Sequence, residues 1–236
     1  MNGKVILVTG GAKRIGRSIA LALAREGARL AIHYNHSEAE ALATAAECGN
    51  AAVFRANLES VRGIRALVDS VASHFGRLDG LVNNAARFTK FDPLQIEEKD
   101  WDFIHDVNLK SVFFACQAAA RVMLAANGGH IVNISSLGAL RPWQDHAHYC
   151  SSKAGVVMLT KCLAKAWAPK IAVNTVAPGV IPFGKTDERT ERFIAATPAG
   201  RAGTGEEIAE AVLFFLKSTP FITGQLIAVD GGLSLR

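Results

Sequence analysis

The 236-residue sequence predicts an α/β fold, a doubly wound parallel sheet of about seven strands with helices on both faces. Three observations lead there. Short apolar runs rich in Val, Ile and Leu alternate with longer helical patterns from Lys4 to Val229, the order of repeated βαβ units. A glycine-rich turn, Thr9–Gly16, separates the first apolar run from the first helix. Later strands end in small residues and asparagine, as at Asn83-Asn84-Ala85-Ala86, which suits the wall of a crevice at the strands' carboxyl ends. With no linker, repeat or low-complexity tract, residues 1–236 are expected to form one Rossmann-type domain.

Taken in order, Lys4–Val8 reads as a strand buried on both faces, followed by the glycine turn and a helix with Ile19 and Leu23 on its apolar side. Glycines let a backbone approach a pyrophosphate, and the helix N-terminus offers free N–H groups. Gly10, Lys13, Arg14, Ile15 and Gly16 are therefore candidate dinucleotide ligands. Arg29–Tyr34 is the second strand. An NAD enzyme usually carries Asp or Glu at its end, about 20 residues beyond the glycines. Here Tyr34, Asn35, His36 and Ser37 precede the first carboxylate, Glu38. Asn35, His36 and Ser37 can donate to a 2′-phosphate, with Lys13 and Arg14 nearby, so the expected cofactor is NADPH/NADP.

Glu38–Cys48 reads as a helix, and Ala51–Ala56 as a strand ending at Asn57-Leu58, both candidates for contact with the cofactor. Val61–Phe75 is an amphipathic helix. Leu78–Val82 is the next strand, placing Asn84, Ala85 and Ala86 at the crevice. Lys99–Asn127 reads as one long helix with Asn108 inside it, among the apolar residues Val107, Leu109, Val112 and Phe113. His130–Ser136 is a fifth strand, and a loop containing Trp143 leads to a helix that reaches about Trp167. Ile171–Val176 is a sixth strand, ended by Ala177-Pro178-Gly179. Val180–Gly205 is rich in Pro, Gly and charge with weak periodicity, and reads as a lid over the substrate site. Glu206–Leu216 and Gly224–Val229 supply a last helix and strand.

Tyr149 and Lys153 stand four apart on their helix and project from one face, one turn apart. On a face turned into a pocket, the ammonium would favour the phenolate, making a phenol that exchanges protons with a substrate oxygen near neutral pH. On a solvated face the same pair would do nothing.

Composition narrows the function classes. Half the residues (50%) are hydrophobic and 20% are charged, and the net charge of +5 comes without a Lys/Arg block of the kind that binds nucleic acid. Met1–Lys4 shows no charged leader or cleavage site, and Val112–Ala126 is interrupted by Gln117 and Arg121, so neither secretion nor a membrane partner is expected. Cys48, Cys116, Cys150 and Cys162 form neither a CxxC pair nor a disulfide framework, which suits a reducing cytoplasm. His146 and His148 lack an acidic or Cys partner at ligand spacing, so no metal is expected.

With these pieces in place the chain resembles the short-chain dehydrogenase/reductase family from Lys4 to Gly232. The resemblance rests on Thr9–Gly16, Asn83-Asn84-Ala85, Asn108, the set Ser136, Tyr149 and Lys153, and Pro178-Gly179. It implies that Tyr149 is the general acid/base, that Lys153 lowers its pKa and holds the nicotinamide ribose, that Ser136 binds the substrate oxygen, and that Asn108 holds a water in a proton relay. Pro178 and Gly179 would border the cofactor. A tetramer packed through the Asn108 and Tyr149 helices is also implied, with Phe114, Ala118, Val157 and Leu163 as permissive residues.

Within the family the chain looks most like the pteridine reductases and dihydromonapterin reductases. Arg14 stands where most members have Gly, and in this branch the matching arginine reaches the cofactor phosphates and the pterin. Phe88 matches the aromatic that stacks a pterin on the nicotinamide. Ser136 departs from the branch's usual Asp, and Asn57 from its usual acidic residue. The first reading is thus an NADPH-dependent pteridine reductase-like enzyme, with Arg14, Phe88, Ser136, Trp143, Tyr149, Pro182 and Phe183 around the substrate. The alternative, for which Ser136 is the expected residue, is a carbonyl reductase like the 3-oxoacyl-[acyl-carrier-protein] reductases. A non-catalytic NADPH sensor is a third reading, disfavoured by the intact Asn108, Ser136, Tyr149 and Lys153.

Overall fold

In a computed structural model describing residues Met1–Arg236, β1 (Val5–Val8), β2 (Arg29–Tyr34), β3 (Ala51–Arg55), β4 (Gly80–Asn83), β5 (Gly129–Ile134), β6 (Ile171–Pro178) and β7 (Leu226–Val229) form one parallel sheet. Their spatial order is β3-β2-β1-β4-β5-β6-β7. The chain reverses direction across the sheet between β1 and β4, so a crevice opens there at the strands' carboxyl ends.

Period-2 alternation distributes each strand's side chains between two cores. In β1, Val5 and Leu7 join one cluster while Ile6 and Val8 join the other. The first cluster is closed by α3 (Val61–Phe75), α5 (Ser111–Leu124) and α6 (Ala147–Trp167), and the second by α1 (Arg14–Arg25), α2 (Glu38–Cys48) and α8 (Gly205–Lys217). Ala118 and Leu163, expected at a subunit interface, are buried within the first cluster. Their small or branched side chains serve helix-to-sheet packing.

Two regions differ from expectation. The long helix expected at Lys99–Asn127 is α4 (Glu98–His105), a single wide π-turn (Asp106–Lys110) and α5. The Ser111 N–H reaches back to the Asp106 carbonyl, and the Val107 carbonyl, which an α-helix would have given to that N–H, accepts the Ser111 hydroxyl at 2.6 Å. Such turns concentrate at functional sites. Within Val180–Gly205 lies a further helix, α7 (Glu188–Ala196), started by Asp187, whose carboxylate accepts the Thr190 N–H at 2.8 Å. No residue of α7 is buried, and its nine residues are too short a run to stand out in a charged segment. No helix is long and apolar enough to cross a membrane.

Candidate active site

The glycine turn is bound to the end of β4 by side chains. Thr9 Oγ1 accepts the Asn84 and Ala85 N–H groups at 3.0 and 3.1 Å, and Asn84 Nδ2 donates to the Thr9 and Gly10 carbonyls at 3.0 and 3.1 Å. A Cβ at Gly16 would collide with the Gly10 carbonyl oxygen and lie 2.6 Å from Asn84 Nδ2, so only glycine fits. Beyond the turn, α1 begins at Lys13 with no side chain capping its N–H groups. An uncapped helix N-terminus beside a bare glycine turn suits a pyrophosphate.

Sequence reasoning passed over His33. It is buried in β2, accepts the Gly10 N–H on Nδ1 at 3.1 Å, and bonds the Ala56 carbonyl through Nε2 at 3.1 Å. Since a carbonyl can only accept, Nε2 carries the proton and the ring is neutral. Burial pushes its pKa down to about 4. His33 thereby ties the glycine turn to the end of β3. A histidine amid Leu30, Ala31, Ile32 and Tyr34 was the available signal, because a buried polar side chain requires partners.

Arg14 is the only non-glycine residue with positive φ, at 54°. The turn demands a left-handed residue there, where a side chain costs energy. Arg14 lines a cleft of about 660 Å3 that also gathers Gly10, Lys13, Ile15 and Gly16 from the turn. Tyr34, Asn35, His36 and Ser37 enter it from the end of β2, Asn57 and Leu58 from β3, and Asn84, Ala85 and Ala86 from β4. The Tyr34 hydroxyl donates to Glu38 at 2.8 Å, which occupies the nearest carboxylate. Asn57 Oδ1 accepts the Glu59 N–H at 3.0 Å.

A second cleft of about 550 Å3 adjoins the first and shares Phe88, Ile181 and Phe183 with it. Trp143, Gly179 and Pro182 line it. Pro178, expected beside Gly179, is buried in β6 and does not reach either cleft, because the strand continues through it. Arg14 lines the first cleft and not the second, so the structure does not bring it to the expected substrate wall.

Tyr149 packs behind the wall of this second cleft, against Phe88 and Trp143, and neither it nor Ser136, Lys153 or Asn108 lines either cleft directly. The Tyr149 ring meets Phe88 edge-on at 4.8 Å and lies parallel to Trp143 at 6.0 Å. Burial pushes its pKa up to about 12, against the opposing pull of the Ser136 hydroxyl. Lys153 does not offset the loss of water around the phenol. Ser136 Oγ accepts the Gly138 N–H at 3.0 Å, which leaves its own O–H free to donate. Lys153 is buried, donates to the Ile134 carbonyl at 2.9 Å, and has its pKa lowered to about 8 by burial. The Lys153 carbonyl in turn accepts Ser135 Oγ at 2.8 Å.

Asn108 sits in the π-turn, fully buried. Its Oδ1 accepts the Arg87 N–H at 2.7 Å, and its Nδ2 donates to the Arg87 carbonyl at 2.9 Å and to Ser152 Oγ at 3.3 Å. The side chain therefore joins the segment after β4 to the helix that carries Tyr149. Its Oδ1 accepts one hydrogen bond and keeps a second lone pair.

Similarities to known proteins agree with this geometry. Residues 10–234 match a family model described as enoyl-(acyl carrier protein) reductase. A 3-oxoacyl-[acyl-carrier-protein] reductase of Staphylococcus aureus is 39% identical, with 98% of each chain covered. The 2-dehydro-3-deoxy-D-gluconate 5-dehydrogenase of Escherichia coli is 35% identical, covering 100% of this chain and 97% of its own. The solved structure of a Serratia marcescens short-chain dehydrogenase/reductase mutant superposes with a TM-score of 0.94 at 36% identity, over 99% of this chain and 98% of that one. Fold, crevice and similarities together establish that the chain belongs to the short-chain dehydrogenase/reductase family of nicotinamide-dependent oxidoreductases.

Proposed function

We propose that the protein is an NADPH-dependent carbonyl reductase acting on 3-oxoacyl thioesters or similar small carbonyl compounds. The observation that carries this reading is the Ser136 hydroxyl beside the Tyr149 phenol, whose ring packs on Phe88 and Trp143 of the second cleft's wall. Carbonyl reduction needs a hydrogen-bond donor and a proton donor at one oxygen. A serine with a free O–H and a phenol held protonated by burial meet both needs. Several relatives are 3-oxoacyl-[acyl-carrier-protein] reductases, which supports the same substrate class.

The nicotinamide, when bound, supplies the hydride. The protein's part is to orient the substrate oxygen with the Ser136 O–H and to transfer the Tyr149 proton to that oxygen as charge develops on it. Lys153, charged below about pH 8, stabilises the phenolate left behind. Asn108 holds the segment carrying Arg87 and Phe88 against α6, which fixes the rim that faces Tyr149. Asn35, His36 and Ser37, with Lys13 and Arg14 on the facing turn, support a 2′-phosphate and hence NADPH.

Phe88 favours a second reading, reduction of a flat heterocycle such as a dihydropterin. It is 60% exposed, packs one ring face on His146 at 4.6 Å, and stands at the junction of the two clefts. The deciding experiment is NADPH oxidation with an acetoacetyl thioester and dihydrobiopterin offered separately. Turnover of the thioester is expected, and turnover of the pterin alone would replace the first reading with the second. Size-exclusion chromatography with light scattering tests the tetramer implied by the resemblance, for which the exposed Met158 on α6 offers apolar surface.

A further inference from the structure

We propose that Arg189, aligned by His146, is a receptor for an oxyanion on the substrate, so that the protein favours carbonyl compounds bearing a carboxylate or phosphate. This rests on the reductase reading and specifies its substrate class.

Arg189 is partly buried at the start of α7 and lines the second cleft. Its Nη1 donates to His146 Nε2 at 3.1 Å, and His146 Nδ1 faces the Thr89 carbonyl at 2.8 Å. The carbonyl fixes the proton on Nδ1 and leaves the Nε2 lone pair for the guanidinium, so the imidazole is neutral. His146 is itself buried and stacked on Phe88, so it forms a rigid seat.

No carboxylate pairs with Arg189, because those around it are committed elsewhere. Asp187 caps α7, Glu188 pairs with Arg192, and Asp145 lies 3.4 Å from Lys90. A guanidinium has five donors, and the imidazole takes one. Lys185 lines the same cleft without an ion-pair partner, while Lys90 faces Asp145 and Asp187 also lies in the lining, so Arg189 and Lys185 carry the cleft's positive charge. A partly desolvated arginine, held by a neutral partner over a cleft wall, is suited to bind a planar oxyanion through two donors.

Two matched pairs of substrates test the proposal and separate its two ligand sources. One is acetoacetate against methyl acetoacetate. The other is the acetoacetyl thioester of 4′-phosphopantetheine against that of pantetheine. In at least one pair the anionic member should show kcat/KM about tenfold or more above its neutral partner, the size of one charge-assisted hydrogen bond. The responding pair identifies the source as carboxylate or phosphate.

Arg189→Gln should collapse that ratio towards unity, Arg189→Lys should keep part of it, and His146→Phe should lower it. None of the α7 residues is buried, so the Arg189 substitutions leave the core intact. Equal use of both members by the wild type, or a ratio unchanged in Arg189→Gln, would overturn the proposal. Tryptophan-fluorescence titration of the NADP-loaded protein with the same four compounds separates this inference from the reductase reading. An anion preference in binding that Arg189→Gln abolishes, without turnover of any compound, would remove the reductase reading and leave the receptor standing. No preference in binding or turnover would remove the receptor.

Discussion

The turn after β1 and the segment after β6 leave the same edge of the sheet, yet they are held in different ways. Around the turn, Thr9, His33 and Asn84 are part-buried or buried and bond mainly to backbone groups, so several strands share one rigid frame. In Val180–Gly205, α7 buries no residue, and apart from the bond from Arg189 to the buried His146 its side-chain pairs are exposed, as between Glu188 and Arg192. The first region can recognise what every substrate has in common, the cofactor. The second can change its side chains at little cost to the fold, which suits the proposed role in substrate choice.

The comparison can be broken most severely where both clefts meet the chemistry. Tyr149→Phe removes the proton donor and should lower kcat by roughly 10²–10⁴-fold, with NADPH binding kept, as read by single-turnover absorbance and nucleotide fluorescence. Gly16→Ala forces a methyl group towards the Gly10 carbonyl and Asn84. It should raise KM for the dinucleotide and cost about 1–3 kcal/mol in urea unfolding. Asn84→Ala removes both donors to the turn and should have the same signature, with a cost of about 1–3 kcal/mol for the carbonyls left unpaired.

Subtler changes sharpen it. The proposed reduction uses Lys153 in its charged form, and burial lowers its pKa to about 8. The kcat/KM for reduction should therefore be level below that pH and fall as pH rises through it, and a profile flat to pH 10 would exclude this role. Arg14→Gly relieves a left-handed side chain and should stabilise the fold by about 1 kcal/mol while raising KM for NADPH. In the segment after β6, Phe183→Ala should alter KM for the carbonyl substrate but shift unfolding by no more than about 0.5 kcal/mol, as for other half-exposed positions.

How much of this was legible depended on which force left a pattern. Strands and cofactor-side residues were readable because burial on two faces and a glycine turn impose composition. The candidate cofactor residues from Gly10 to Ala86 all line the first cleft. The helix α7 was not legible because it is short and carries only Phe193 and Ile194 as large apolar residues within a segment rich in charge, Pro and Gly. Nor was the wide turn at Asn108, because its cause lies in hydrogen bonds to Arg87, remote in sequence. The depth of burial around Tyr149, which raises its pKa, was hidden for a related reason. Spacing shows which charges are near, whereas the depth of burial that outweighs them is a property of the assembled fold.

The wide turn between α4 and α5 also works as a phase shifter. Each residue of an α-helix advances the side chains by about 100°, so one residue more in a single turn rotates everything downstream by roughly that angle. Upstream of it, α4 packs on α6; downstream, α5 lies against α3 and under β4 and β5. One unbroken rod would have to present both faces in a single azimuth, and the rotation lets them point to different neighbours. Asn108 thus occupies the place where the helix changes clients: winding Asp106–Lys110 as ordinary α-helix would turn the apolar face of α5 out of the core by about a quarter of a revolution, whereas deleting one residue of the turn would keep that face in place.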